Sequence, residues 1–299
     1  MNTIAKFTSA VLCGLVLTAC GGDNNPDCCK PPVGFSYETQ QLSPDSADSA
    51  GLLALLNEEG AKGYFYWYGD QTSLTFVNDS SGKTYTYALL DSSGNASDFL
   101  AQANAQGKNG YRYEEHSNIP WNVYRKDSGP SATYTYVAQN LPADAKSFVT
   151  QANAQGIRGY LFVPTHYSTL QPPQQAIYMS DSTNRAVYDY EVLDLNITQL
   201  NTEGAKGYRA LLTGEMEYAW LASAAVYVKD QRQQAATFAY ESVPRTNVSL
   251  NQMNNYGAKG YAYWGSASSP SNLAFYVKAD RCSGWICTAL HPAGSVSLK

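Results

Sequence analysis

The sequence predicts an α+β protein built from five tandem β-α-β-β repeats. The pattern Asn-x-x-Gly-x-x-Gly-Tyr occurs five times, at intervals of 47 to 53 residues. A run of alternating aromatic residues precedes each copy, and a short segment with apolar residues three apart leads up to each Asn. A pattern that recurs at a steady period specifies one supersecondary unit per repeat, so the five copies indicate five units of one kind.

Each repeat begins with a predicted strand in which aromatic residues alternate with other side chains. Alternation with a period of two, with Thr between the aromatics in two copies, favours a half-buried strand. The five runs are Phe35–Tyr37, Tyr85–Tyr87, Tyr134–Tyr136, Tyr188–Tyr190 and Phe238–Tyr240.

A short helix is predicted next. Its apolar residues lie one and four positions before the motif Asn, which places them on one stripe of a helix. Asp48, Asp144, Asp194 and Thr246 are candidate N-caps. A helix of about ten residues is marginal on its own in water, so we expect each one to pack on a sheet.

The motif is predicted to end the helix and to begin the second strand. The first Gly is assigned to the C′ position, where a positive φ closes a Schellman or αL cap. Lys62, Arg158, Lys206 and Lys259 precede the second Gly and are placed to neutralise the last helix carbonyls. The repeat-defining positions are Asn57, Gly60, Gly63, Asn104, Gly107, Gly110, Asn153, Gly156, Gly159, Asn201, Gly204, Gly207, Asn254, Gly257 and Gly260.

Two further strands complete each repeat, and polar turns separate the repeats. We predict repeats at about 34–82, 83–131, 132–184, 185–235 and 236–281, followed by a C-terminal tail over 282–299. An Asp follows the third strand of every repeat. Either a strand-capping Asx turn or a ring of carboxylates for Ca²⁺ accounts for this recurrence, and the Asx turn is the favoured interpretation.

The segment over residues 201–208, Asn-Thr-Glu-Gly-Ala-Lys-Gly-Tyr, follows an apolar helix and precedes strands of which the last ends in Tyr-Val-Lys. This combination resembles the small DUF4177-like β-α-β-β domains. Those domains have Trp where all five copies here have Tyr, and Leu before the first Gly where this chain has Glu, Gln or Tyr. The resemblance implies a fold and assigns no activity.

Five such units form either an open repeat array or a compact form closed into a pseudo-five-fold α/β-propeller-like ring. The closed form is favoured because the cysteines that follow residue 20 lie near the two ends of the chain. Such a ring is similar to the pentein propellers, whose hydrolases use a nucleophilic Cys with His and acidic partners. No Cys occurs between residues 30 and 281, so we do not expect that chemistry here.

Residues 1–19 have the features of a bacterial lipoprotein signal peptide, with Lys6 before an apolar stretch too short to span a membrane. The stretch ends in Leu17-Thr18-Ala19-Cys20, which resembles the bacterial lipobox. The resemblance implies cleavage before Cys20 and attachment of acyl chains such as palmitate, which anchor the chain in a membrane. Gly21 after the Cys favours the outer membrane, and residues 20–33 are then a polar tether.

The remaining cysteines, Cys28, Cys29, Cys282 and Cys287, form an even set in a chain expected outside the cytosol, where disulfides form. A local Cys282–Cys287 bridge and bridges between the two ends of the chain are both open from the sequence.

Composition favours a non-enzymatic envelope protein. Charged residues make up 15% of the chain and the net charge is −5 without a basic run, so nucleic acid is not an expected partner. The 24 Tyr and 5 Trp offer stacking surfaces for sugars, although packing in the sheets accounts for most of them. We predict a structural, adhesive or glycan- or protein-binding module, with no catalytic residue, cofactor or metal.

The alternative function is a carboxylate-dependent hydrolase that acts on envelope or extracellular glycans. Such enzymes need two carboxylates about 5–10 Å apart in a cleft. The acidic spots that occur in single repeats are Glu114-Glu115-His116 and Glu215-Met-Glu217. His116 and His166 occupy nearly equivalent places, and we interpret them as exposed turn residues rather than metal ligands.

Overall fold

The structure is a computed structural model that describes residues 34–42, 48–69, 72–114, 120–163, 175–183, 185–211, 224–267, 272–284 and 286–287. These residues form a mixed α+β structure with five α-helices and five three-stranded antiparallel sheets. The prediction of repeated β-α-β-β units is therefore confirmed at this level. The predicted signal peptide and tether, with Cys20, Cys28 and Cys29, lie outside the described residues.

The elements follow one another in the same order in every unit. Unit 1 contains β1 (Ser36–Gln41), α1 (Ser49–Ala61), β2 (Phe65–Gly69) and β3 (Ser73–Asn78). Unit 2 contains β4 (Tyr85–Asp91), α2 (Ala96–Lys108), β5 (Arg112–Glu114) and β6 (Trp121–Asp127). Unit 3 contains β7 (Tyr134–Asn140), α3 (Ala145–Gly156), β8 (Leu161–Val163) and β9 (Gln175–Asp181). Unit 4 contains β10 (Tyr188–Asp194), α4 (Ile197–Ala205), β11 (Arg209–Leu211) and β12 (Ala224–Asp230). Unit 5 contains β13 (Thr237–Pro244), a 3₁₀ turn (Arg245–Asn247), α5 (Leu250–Gly257), β14 (Ala262–Ala267) and β15 (Leu273–Asp280).

The third strand lies at the centre of each sheet and pairs antiparallel with the other two, as in the order β4-β6-β5. In unit 2, Tyr87 and Arg112 both oppose Arg125, which puts all three side chains on one face of the sheet. Tyr113 and Tyr124 lie on the other face and pack with Phe99 of α2. The aromatic residues are thus largely core residues.

The helices begin at side-chain caps, as expected where the first N–H groups lack partners within the helix. The capping residues are Asp48, Asn95, Asp144, Asn196 and Ser249. The prediction was wrong at Asp194 and Thr246, because α4 and α5 are short and begin two or three residues later than expected.

The motif ends each helix through its second Gly. The φ values are 87° at Gly63, 84° at Gly110, 83° at Gly159, 91° at Gly207 and 84° at Gly260. In unit 1, the Tyr64 N–H donates to the Glu59 carbonyl (3.0 Å) and the Gly63 N–H to the Gly60 carbonyl (3.1 Å), which is the Schellman pattern. All units repeat these bonds. Assigning the first Gly to C′ was therefore wrong, because the helical turn continues through it.

The first Gly is required by the next unit instead. A Cβ on Gly204 would overlap the carbonyl oxygen of Phe238 in the first strand of unit 5. The same close approach pairs Gly60 with Tyr85, Gly107 with Tyr134, Gly156 with Tyr188 and Gly257 with Phe35. Each helix thus lies with its last turn directly on the backbone of a neighbouring strand.

The motif Asn binds the same neighbouring strand. Between units 2 and 3, the Tyr136 N–H donates to Asn104 Oδ1 (2.8 Å), and Asn104 Nδ2 donates to the Tyr136 carbonyl (3.0 Å). The Tyr136 hydroxyl accepts from the Tyr113 N–H at 2.8 Å. These bonds satisfy edge-strand groups that would otherwise lack partners. We call the motif Asn, the first Gly and this tyrosine the interunit joint.

The same joint connects unit 5 to unit 1. Asn254 Oδ1 accepts from the Tyr37 N–H (2.7 Å), and Asn254 Nδ2 donates to the Tyr37 carbonyl (3.0 Å). The Tyr37 hydroxyl accepts from the Tyr263 N–H at 2.7 Å. Helix α5 accordingly packs on β1, as each other helix packs on the first strand of the unit after it.

Candidate functional site

The five units differ at the C-terminal end of each helix, one residue before the first Gly of the motif. The residues there are Glu59, Gln106, Gln155, Glu203 and Tyr256. The equivalent first-strand residues on the helix side of each sheet are Glu38, Ala88, Val137, Glu191 and Glu241. The motif Tyr directly precedes the second strand beside them. We call these three positions together the helix-end site.

The helix-end sites of units 2 and 3 hold no carboxylate. Gln155 Oε1 accepts from Arg158 Nη1 at 3.2 Å, and the Arg158 guanidinium lies 5.3 Å from the centre of the Tyr160 ring. In these units the helix residue is Gln and the first-strand residue is Ala or Val. These side chains carry no charge, so any charge at the site comes from nearby lysine or arginine residues.

The cations around the sites do not act as the sequence predicted. Lys62 and Lys206 bind Glu59 (2.9 Å) and Glu203 (2.8 Å) rather than helix carbonyls. In units 2 and 5 a lysine of the third strand binds a carbonyl at the helix end instead. Lys126 Nζ donates to the carbonyl of residue 109 (3.0 Å), and Lys278 Nζ donates to the carbonyl of residue 259 (3.0 Å). A central strand holds its Lys in reach of the helix terminus, whereas Lys62 and Lys206 bind nearer carboxylates and Lys259 lies over the Tyr256 ring.

In unit 1 the site is a pair of carboxyl groups. Glu59 Oε1 accepts from Lys62 Nζ (2.9 Å) and from Gln40 Nε2 (3.2 Å). Burial, and after it the contact with Glu59, raises the pKa of Glu38 to about 7. Two acidic side chains from different elements therefore share one small volume.

In unit 4 a second carboxyl pair, Glu191 and Glu203, lies beside Tyr208. Glu203 Oε1 accepts from Lys206 Nζ (2.8 Å) and Gln199 Nε2 (3.0 Å). Burial and the charge of Glu203 raise the pKa of Glu191. The Tyr208 hydroxyl donates to Asp189, and burial together with this contact raises the pKa of Tyr208. The polar groups of this site therefore form hydrogen bonds with one another.

In unit 5 the site is an aromatic platform. Tyr256 stacks on Tyr276 with ring centres 4.0 Å apart and planes at 16°, and Tyr261 meets Tyr256 edge-on at 6.1 Å. The exposed Glu241 lies beside Tyr256 and Tyr261, and its charge acts on both hydroxyls. Burial, and then Glu241, raises the pKa of each hydroxyl.

Two lysines flank this platform. Lys259 Nζ lies 5.1 Å from the centre of the Tyr256 ring, and Lys278 Nζ lies 5.7 Å from that of Tyr261. Tyr256 and Tyr261 remain half-buried, with Lys259 and Glu241 exposed beside them. Two half-buried aromatic rings, an exposed carboxylate and an exposed ammonium group therefore lie together at the end of this helix.

The acidic residue singled out in unit 2, Glu114, belongs to a buried ion network. Its Oε1 lies 2.7 Å from Arg112 Nη2 and 3.4 Å from Arg125 Nε. Arg125 also binds Asp127 (2.9 Å), and its guanidinium lies 4.5 Å from the centre of the Phe65 ring. Because two guanidinium groups bind its carboxylate, Glu114 stabilises the contact between units 1 and 2 rather than facing a substrate.

Other residues singled out from the sequence fall in two groups. Glu115, His116, His166, Glu215 and Glu217 lie outside the described residues. At the strand ends, Asp79 and Asp181 accept from the backbone N–H two residues on (3.0 and 2.7 Å), which is the Asx turn. The part of the chain that the structure describes contains no group of three or more His, Cys, Asp or Glu arranged to hold a metal ion.

The cysteines of the tail form the local bridge, Cys282–Cys287, with Cα atoms 5.5 Å apart. The bridged loop is bound to unit 4: Gln233 Nε2 donates to the Ser283 carbonyl (2.7 Å), and Arg209 Nη1 donates to the Ile286 carbonyl (2.9 Å). The disulfide therefore shapes a loop that connects the end of unit 5 to unit 4. No described helix is long and apolar enough to cross a membrane.

The platform and the carboxyl pairs were not identified from the sequence, although a signal was present. The residue before the first Gly changes among Glu, Gln and Tyr while its neighbours are repeated. The sequence did not show which strand residue contacts each helix-end residue. Glu38 and Glu59 are 21 residues apart and meet only through the packing of α1 on its sheet.

Comparison of the chain with models of protein families, with curated proteins and with solved structures found no match. The resemblance to DUF4177-like domains and to the lipobox stays a prediction.

Proposed function

We propose that this protein is a non-enzymatic, lipid-anchored repeat protein of the bacterial cell envelope that binds a glycan through the helix-end site of unit 5. The observation that carries the proposal is the half-buried pair Tyr256 and Tyr261, with Glu241 and two lysines around it. The N-terminal lipid on Cys20 would hold the site at a membrane surface, and the sequence favours the outer membrane.

The chemistry of the platform suits a sugar ring. The C–H face of a pyranose packs on aromatic rings, while its hydroxyls need both acceptors and donors. Glu241 supplies acceptor oxygens, and Lys259 supplies ammonium donors next to the Tyr256 ring. Units 2 and 3 have Gln where unit 5 has Tyr256, so this surface belongs to one unit rather than to the repeat.

We further propose that the five units close into a pseudo-five-fold ring. The support is the joint between α5 and β1, in which Asn254 and Tyr37 make the contacts that Asn104 and Tyr136 make between units 2 and 3. In an open array the first strand of unit 1 and the last helix of unit 5 would lack these partners.

The alternative function, a carboxylate-dependent hydrolase, receives no support from the described acids. Glu114 is bound by two arginines, and Glu38 and Glu59 touch each other instead of standing about 5–10 Å apart.

The binding proposal is tested with the full chain on a panel of bacterial envelope polysaccharides and peptidoglycan fragments. We expect at least one saccharide to bind, and Tyr256→Gln to abolish binding because it replaces the ring with the residue found in units 2 and 3. Gln106→Glu, which changes the equivalent position of unit 2 to that of unit 1, is the matched control and should bind normally. Unchanged binding by Tyr256→Gln, or no binding by the wild type, would contradict the proposal.

The anchor is tested separately. Cys20→Ala should move the protein from the detergent phase to the aqueous phase on phase partitioning, because no acyl chain can be attached. Retention of the variant in the detergent phase would be incompatible with a lipid on Cys20.

A further inference from the structure

The carboxyl groups of Glu38 and Glu59 meet where β1 packs against α1. The Glu59 side chain is 2% exposed, and its Oε1 accepts from Lys62 and Gln40. Its other oxygen, Oε2, is buried and receives no donor, and the same is true of Glu38 Oε1. Both atoms belong to a carboxyl pair in hydrogen-bonding contact.

Two ionised carboxylates cannot satisfy this arrangement. An ionised carboxylate only accepts hydrogen bonds, so each would leave the other's buried oxygen unpaired. Their charges would also repel at short range. A proton on one of the two groups converts it to a donor and satisfies both oxygens.

We propose that Glu38 and Glu59 form a proton-binding site, in which one shared proton joins the first strand of unit 1 to its helix and is released as the pH rises through the neutral range. The ligand of this site is the proton itself, because among the described residues no third His, Cys, Asp or Glu joins the pair to hold a metal ion.

The groups around the pair place its titration near neutral pH. Burial and the contact with Glu59 raise the pKa of Glu38, Gln40 and Lys62 oppose the increase, and the resulting pKa is about 7. The charged groups that act on Glu38 are Glu59 and Lys62 at the end of α1, where Glu58 also binds Lys62. The titratable side chains on the other elements around β1 are tyrosines: Tyr64 before β2, Tyr66 and Tyr68 in β2, and Tyr256 on α5. Tyr66 lies on the same face of the sheet as Glu38, since both residues oppose Phe76. Strand β3 presents Phe76 opposite Glu38 and contains no titratable side chain.

The other units provide internal comparisons. Unit 4 repeats part of the arrangement: Glu203 Oε2 is buried without a donor, and burial together with Glu203 raises the pKa of Glu191. Units 2 and 3 carry Gln106 and Gln155 instead, whose amides bring their own donors. The proton is needed only where two acids face each other.

The pH dependence follows from the direction of the shift. The pKa of Glu38 is raised in the folded protein from its ordinary value of 4.5. The stabilisation is therefore fully present below that ordinary value and is lost as the pH rises through about 7.

The test uses the full chain as wild type, Glu38→Gln and Glu59→Gln, with Glu58→Gln as the matched control, since Glu58 also binds Lys62 but is 66% exposed. We expect the wild-type Tm to fall as the pH rises through about 7, and the two Gln variants to lose this step because an amide donates at every pH. Glu58→Gln should keep the step, which separates it from the titration of histidines. A step that persists in both Gln variants, or a wild type without one, would overturn the proposal.

Infrared spectroscopy of the wild type provides a readout that does not depend on the variants folding. A carbonyl stretching band from a protonated carboxyl should be present at acid pH and disappear as the pH rises through about 7. If no buried protonated carboxyl is detected on the acid side of neutral pH, the proposal is wrong.

Discussion

The interunit joint and the helix-end site share the last turn of each helix, yet the joint has the same residue types in all five units and the helix-end site differs. Asn104, Gly107 and Tyr136 have counterparts of the same residue type at every joint. The aromatic residue whose carbonyl meets the first Gly does vary, between Tyr and Phe. One residue before the Gly, the side chain changes from Glu to Gln to Tyr. Repetition and variation are therefore separated by a single position.

The difference follows from what each position touches. The joint contacts the backbone of a neighbouring strand, whose N–H and C=O groups are the same in every unit, so one set of side chains suits all five contacts. The helix-end residue instead contacts side chains of its own sheet, such as Glu38 or Glu241, and these vary with it. Repeated residues thus specify assembly, and varied residues are free to acquire function.

The largest test of this comparison is Gly204→Ala. The added methyl group would overlap the Phe238 carbonyl, and neither backbone can move away easily, so we expect a loss of about 3 kcal/mol in unfolding free energy. Chemical denaturation would measure it. Gly94→Ala is the control, because Gly94 lacks both a positive φ and a neighbour within 4 Å. If Gly204→Ala left the free energy of unfolding unchanged, the joint would tolerate a larger separation between the helix and the neighbouring strand.

Asn254→Ala tests whether the fifth joint equals the others. Removing the amide leaves the N–H and C=O of Tyr37 without this partner, which should cost about 2 kcal/mol. Asn104→Ala removes the same bonds between units 2 and 3. Equal losses in denaturation are expected from a closed ring, whereas a much smaller effect of Asn254→Ala would favour an open array.

Tyr37→Phe removes only the hydroxyl from the same joint. The Tyr263 N–H then loses its acceptor, and we expect a loss of about 1 kcal/mol together with faster hydrogen exchange of that amide. Tyr64→Phe is the comparison, since its hydroxyl makes only an exposed contact of 3.4 Å with Ser36. Equal stability of the two variants would argue against a role of the buried bond.

Gln106→Glu should have the smallest effect on stability. The residue is half-buried at the helix-end site of unit 2, and unit 1 already carries Glu at this position, so we expect a change below about 0.5 kcal/mol. Thermal denaturation at neutral pH is sufficient to measure it. A large loss would mean that the helix-end site is as constrained as the joint.

Much of the unit could be predicted because its signals are local. Alternating aromatics such as Tyr134 and Tyr136 indicate strands through a period of two, and Asp48 and Asp144 mark helix starts through short-range hydrogen bonds. Prediction failed where the partner was distant. Nothing near Gly204 indicates that a strand more than thirty residues later passes over it.

The sequence by itself determined the number of units, the order of helix and strands within each, and the presence of a glycine-ended helix, since these depend on contacts within a few residues. Only the tertiary structure decided which Gly turns the chain and which one receives the neighbouring backbone. It also decided that Glu38 meets Glu59 and that Tyr256 lies on Tyr276. Packing between separate elements creates these contacts, and periodicity does not encode which side chains then come together.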